Sequence, residues 1–222
     1  MTADPYKPRP AVGAPVVAVL LALVVIAGGA WRGYHAANPN PHRSGDEHAY
    51  VEIALRLAED GTYRAANDPD RFGDRAFHWP PGAPALFAIA HLVAPSEAGG
   101  GEREIPAAHW AQALVGTLLI LVAFAVATML GGRLAGLVAA TAVALYPPLA
   151  YAPGDLLSEP LGALMLSCAF LAVAGAVRRP GPWLFLAAGA LLGAAVLTRA
   201  DLLPVPFAVT AAAAVGLRRL GP

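Results

Sequence analysis

The sequence predicts an all-α fold: a polytopic membrane helix bundle of about six transmembrane helices, with an interfacial helix and a re-entrant or interfacial segment at one face. Three observations carry this. Apolar residues make up 57 % of the 222 and charged residues 14 %, against roughly 25 % charged in soluble domains. Apolar runs long enough to cross a bilayer recur from end to end. Lys and Arg fall between those runs in a pattern that gives one consistent orientation. The formal net charge is +0, which removes the basic signature of a nucleic-acid partner.

The first apolar run is Ala11–Trp31, "AVGAPVVAVLLALVVIAGGAW". At about 1.5 Å per residue it matches a hydrocarbon core of about 30 Å. A basic N-terminus precedes it, as in a signal peptide. The run exceeds the usual apolar stretch of roughly 7–15 residues, and further spans follow, so it reads as an uncleaved signal anchor.

Residues 32–106 form the expected first outer loop of a single membrane domain, 1–222. Within it, "DEHAYVEIALRLAEDG" has a helical period. Tyr50, Ile53, Ala54 and Leu57 share one face, and Glu52, Arg56 and Glu59 the other. Glu52 and Arg56 make a favourable i,i+4 pair, and Gly61 is a natural stop. Next comes "HWPPGAPALFAIAHLVAP". Its apolar part, Ala83–Ala94, is too short to span and reads as re-entrant or interfacial.

Five further apolar runs are Ala107–Leu130, Leu134–Ala150, Leu156–Val177, Trp183–Leu197 and Leu202–Leu217. Gly132/Gly136 and Gly189/Gly193 have a spacing that allows close helix approach. Cys168 lies inside a run and reads as a small hydrophobe. Lys7 and Arg9 place the N-terminus in the cytoplasm. With a non-crossing segment after Pro81, Arg133, Arg178/Arg179 and Arg218/Arg219 also fall inside.

That topology gathers acids and an arginine on the outer face: Asp46 and Glu47, Asp155 and Glu159, then Arg199 and Asp201. Ser44 and Glu47 also satisfy a capping box, which explains Glu47 without any function. The box does not need Asp46, and the helix dipole keeps that carboxylate ionised, ready to accept a proton or hold a cation. Glu159 could simply open a helix. Its place at the head of a long apolar run points equally to a cavity or a partner. Arg199 could be a local ion pair with Asp201, or a clamp for phosphate. Trp79 could anchor at the interface, and His78 is a candidate metal ligand. No Walker loop, dinucleotide fingerprint, Cys/His cluster or nucleophile elbow is present.

Taken in order, "SGDEHAYVEIALRLAEDGTY", "HWPPGAPALFAIA", "LYPPLAYAPGDLLSEPLGALML" and "AVLTRADLLPVPFAV" resemble the N-terminal part of the GT-C membrane glycosyltransferases. The nearest group is the protein mannosyltransferase-like and aminoarabinose-transferase-like branch. The resemblance implies an enzyme that moves a sugar from a polyprenyl-phosphate carrier to a hydroxyl of a lipid, glycan or protein on the outer face of the plasma (inner) membrane. It implies catalytic roles for Asp46, Glu47 and Glu159, and substrate contacts from Arg199, Asp155, Tyr50 and Trp79. A divalent metal ion is a candidate cofactor, with His78 its candidate ligand. The chain departs from the pattern at two places. Glu159 stands where the family often has Asp, and His78 and Trp79 stand where the aminoarabinose branch has an acid and a lysine. The rival reading is a non-enzymatic polytopic membrane protein, either a transporter subunit or a polyprenyl-lipid-binding assembly factor. Transporters place ionisable groups near the middle of spans, whereas here they sit at one face.

Overall fold

Prolines set most of the helix starts. In the computed structural model, which describes residues 13–41, 45–64, 79–95, 104–179 and 181–220, a proline sits at the first or second position of six helices. There its missing N–H costs nothing, because the first-turn donors have no helical acceptor. The helices are α1 (Ala14–Ala37), α2 (Gly45–Glu59), α3 (Gly82–Val93), α4 (Pro106–Leu145), α5 (Pro147–Asp155), α6 (Glu159–Arg178), α7 (Pro182–Thr198) and α8 (Pro204–Leu220). A 3₁₀ turn, Ala200–Leu202, joins α7 to α8. No strand occurs among the described residues.

Three helices, α1, α4 and α6, are long and apolar enough to cross a membrane. Their outward faces suit a lipid surround: α1 exposes Val16, Val19, Leu20, Leu23 and Ile26, a contiguous apolar surface that a soluble monomer would not carry. The protein is therefore a membrane helix bundle.

The structure changes several expected boundaries. α1 runs six residues past Trp31 to Ala37, so the loop expected from residue 32 starts later. The expected runs Ala107–Leu130 and Leu134–Ala150 meet in α4, which breaks at Gly132 with φ 80° and ψ 179°. That backbone region is essentially reserved for glycine. The chain doubles back there, and Gly136 lies against its own hairpin. A Cβ at Gly136 would stand 2.1 Å from Thr128 Oγ1 and 2.9 Å from the Phe124 carbonyl oxygen. Gly189 and Gly193, by contrast, have nothing within 4 Å of a built Cβ and mediate no close approach. The run expected from Leu156 starts its helix only at Glu159. Cys168 is half-buried against Val115, Leu119 and Leu164, as a small hydrophobe.

α1 packs on both arms of the α4 hairpin, around Ile120, Ala140 and Ala144. α6 packs on the first arm, α7 on α6, and α2 on α3. The extension of α1 carries Arg32, which is fully buried. Its guanidinium donates to the carbonyls of Gly28 (3.0 Å), Ala144 (3.3 Å) and Val143 (2.9 Å). The last carbonyls of a helix have no helical donor and carry partial negative charge, so Arg32 caps the second arm of α4. Gly116 makes room for it, since a Cβ there would sit 2.7 Å from Arg32 Nε. At the opposite end of the bundle, Arg178 donates to the Met129 carbonyl at 2.8 Å, next to the Gly132 turn and Arg133. The two ends thus differ in chemistry: Arg133 and Arg178 at one, the candidate acids with Arg32 and Arg199 at the other.

Candidate functional site

The acidic end is assembled by backbone anchors on α3, α4 and α5. Gly82 opens α3 so close to the end of α7 that a Cβ would lie 2.3 Å from Thr198 Oγ1 and 2.8 Å from Thr198 Cα. This holds the Trp-Pro-Pro-Gly stretch against the end of α7. α5 ends at Leu156, whose φ of 47° and ψ of 50° are costly for a branched side chain. Burial of Leu156 in the core formed with Tyr50, Phe87 and Ile105 compensates. His109 of α4 donates from Nδ1 to the Pro153 carbonyl at 2.6 Å, and Gln112 donates to the Leu157 carbonyl. The segment 153–158 is therefore tied to α4 on one side, leaving Ser158 and Glu159 to face α2 and α7.

Three contacts then link side chains from distant parts of the chain. Trp79 Nε1 donates to Asp46 Oδ1 at 3.1 Å. One turn along α2, Tyr50 donates its hydroxyl to Ser158 Oγ at 3.3 Å. Glu159 Oε1 meets Arg199 Nη1 at 2.5 Å. Arg199 also forks onto Asp201, at 3.1 and 3.0 Å. Gly162, one turn into α6, clears space for this arginine: a Cβ there would be 3.0 Å from Arg199 Cδ. Behind the cluster, Tyr63 donates to the Trp79 carbonyl at 2.5 Å and fixes the Trp-Pro-Pro turn.

The electrostatics follow from this arrangement. Burial raises the Tyr50 phenol above its usual range, and the fields of Asp46 and Glu159 add to the rise, while the Ser158 bond and Arg199 oppose it. Tyr50 is thus a neutral hydroxyl that senses all three charged groups. Tyr63 is pushed up to about 12, by burial first and by Tyr50 second. Arg199 is held above its already high value, mainly by the hydrogen bonds it donates to Asp201 and then to Glu159. Reciprocally, Asp201 is held below the ordinary carboxylate range by Arg199. Among the described residues no group of three or more His, Cys, Asp or Glu side chains is placed to hold a metal ion.

Of the residues expected from sequence, Asp46, Tyr50, Trp79, Glu159 and Arg199 come together. Asp155 does not join them: its Oδ1 accepts from Asn40 Nδ2 at 3.2 Å, on the α1 side of the 153–158 segment. Glu47 is 1 % exposed and lies on the buried side of α2, whereas Asp46 and Glu159 are exposed. Its expected capping partner Ser44, and the candidate metal ligand His78, lie outside the described residues. Sequence reasoning missed Ser158 and Tyr63. Ser158 has no motif of its own. Tyr63 follows the Gly61 helix stop (φ 65°), a place that reads as plain loop. Comparison with known proteins found no matching family model, no similar curated protein and no similar solved structure.

Proposed function

We propose that this chain is a membrane glycosyltransferase, or the N-terminal part of one, that moves a sugar from a polyprenyl-phosphate carrier to a hydroxyl acceptor at the outer face of the inner membrane. The observation that carries the reading is the joining of Asp46, Tyr50, Glu159 and Arg199, from three separate segments, at one end of an apolar bundle. In this topology α1, the two arms of α4, α6, α7 and α8 make six crossings. The N-terminus is cytoplasmic, α2 and α3 lie at the outer interface, and Arg133 and Arg178 face the cytoplasm, in keeping with the positive-inside rule.

In the proposed reaction the acceptor hydroxyl oxygen attacks the anomeric carbon as the bond from that carbon to the phosphate oxygen breaks, with inversion. Asp46 takes the hydroxyl proton. Trp79 holds one carboxylate oxygen and so orients the other toward the acceptor. Arg199 stabilises the departing phosphate. It already faces two carboxylates, so the phosphate must displace one. Asp201, with its side chain 62 % exposed, is the partner free to swing away, while Glu159 keeps the guanidinium aligned. Asp46→Asn in the full-length protein should abolish transfer from a polyprenyl-phosphate-linked sugar while expression and melting temperature stay unchanged. Undiminished turnover would remove Asp46 from the chemistry.

A further inference from the structure

Beside the transfer site, on the α1 side of the 153–158 segment, aromatic rings and amides line two adjoining hollows. The last turns of α1 present Trp31, Tyr34 and His35, and α5 presents Tyr151 against them. The His35 and Tyr151 rings meet edge to face at 4.6 Å, with Trp31 at 6.3 Å from Tyr151 and Tyr34 at 5.4 Å from His35. One hollow, about 490 Å³, is walled by these four rings. The second, about 360 Å³, continues past His35 and Tyr151 to Asn38, Asn40 and Asp155. Both sizes fall within the range of roughly 300–1,000 Å³ typical of small-ligand sites.

The walls are fixed in place. Asn40 donates its backbone N–H to the Gly154 carbonyl at 3.1 Å and its amide to Asp155. Asn38 donates its amide to the Tyr34 carbonyl at 2.8 Å. Gly154 lies against the α1 extension, where a built Cβ would make ordinary van der Waals contact with the His35 carbonyl oxygen at 3.6 Å. Despite these contacts, Tyr151 remains 44 % and Trp31 43 % exposed, so open ring surface faces the hollows.

Two occupants suit aromatic rings at a membrane surface: a phospholipid headgroup and a sugar. The lining favours the sugar. An interfacial tryptophan anchors by offering its N–H to headgroups, but the Trp31 N–H is taken by His35 Nε2 at 2.9 Å. Among the described residues no Lys or Arg lines either hollow, and the charged group there, Asp155, repels phosphate. Ring faces beside amide and carboxylate groups match a sugar, which has apolar C–H faces and hydroxyls around its rim.

We propose that these hollows bind a neutral oligosaccharide and that, if the transferase reading holds, they are the subsite for an acceptor glycan. Asp155 and Glu159 are four residues apart, at most about 14 Å of extended chain. A glycan seated on Tyr151 would therefore lie within a few sugar units of the transfer site.

The test is saturation-transfer NMR on the full chain in nanodiscs, against soluble gluco-, manno- and galacto-configured trisaccharides. At least one should receive saturation. Tyr151→Ala should then weaken binding by about tenfold, the loss of one aromatic contact. Tyr151→Phe should retain binding, and Asn40→Ala should weaken it without disturbing the rings. Asp46→Asn should leave it unchanged. Saturation of none of the sugars, or saturation indifferent to both Tyr151→Ala and Asn40→Ala, overturns the assignment. Sugar binding by a chain that never transfers sugar keeps the hollows as a glycan site and sinks only the transferase reading. Transfer without such binding sinks only the subsite.

Discussion

Replacing Gly82 with alanine forces a choice between two helices that now touch. The added Cβ would lie 2.3 Å from Thr198 Oγ1, 2.8 Å from Thr198 Cα and 3.0 Å from its Cβ. A hydroxyl can rotate away, but a Cα cannot, and Thr198 is 2 % exposed with nowhere to retreat. Overpacking of this kind costs about 1–3 kcal/mol. Gly82 is the first residue of α3, so alanine recovers little helix propensity there. The net effect should be a loss of stability of about 1–3 kcal/mol. The displaced α3 should also pull Trp79 from Asp46. Thermal unfolding of the purified protein in detergent, followed by tryptophan fluorescence, reads the first effect. Thr198→Ala in the Gly82→Ala background should rescue part of the loss, because it removes the 2.3 Å clash and leaves the 2.8 Å one. Gly189→Ala, with open space around the new methyl, should not lower the midpoint. A Gly82→Ala protein that melts with the wild type would refute the close packing of α3 on α7.

Three other outcomes are expected. Gly132→Ala should cost about 1–3 kcal/mol, the strain of a non-glycine residue at φ 80°, ψ 179°, and the same melting assay should record it. Tyr63 should stay protonated when exposed tyrosines ionise. Its unfolded value is near 10.0 and its folded value about 12, so the unfolded state sheds the proton first, and stability falls as pH rises through that interval. Spectrophotometric titration near 295 nm should show a late transition that shrinks in Tyr63→Phe, with Tyr50, also raised by burial, supplying the remainder. Asp201→Asn removes one of the two carboxylates on Arg199. On the transferase reading it should lower the donor KM, since phosphate then displaces no charged partner, and an unchanged or higher KM would count against Arg199 as the phosphate clamp.

Periodicity and composition were enough to reveal the membrane class and the helical stretch from Asp46, which the structure has as Gly45–Glu59. These are local properties: an apolar run of bilayer length and a 3.6-residue stripe each act without knowledge of the rest of the chain. Glu52 and Arg56 met as an i,i+4 pair at 3.0 Å for the same reason. Sequence also nominated Asp46, Glu159 and Arg199 as ionisable groups at the edges of apolar runs.

What needed the tertiary structure was partnership. The code for Trp79 reaching Asp46, or Tyr50 reaching Ser158, is not in either segment. It lies in the tight approach at Gly82 and in the strained turn at Leu156. Sequence put Asp155 beside Glu159, yet the αL turn between them sends one toward Asn40 and the other toward Arg199. Arg32 reads as the first polar residue of a loop, because a charged side chain normally ends an apolar run. Only the packed bundle, with the orphan carbonyls of Val143 and Ala144 above the gap at Gly116, provides the acceptors that let a guanidinium stay inside a helix core.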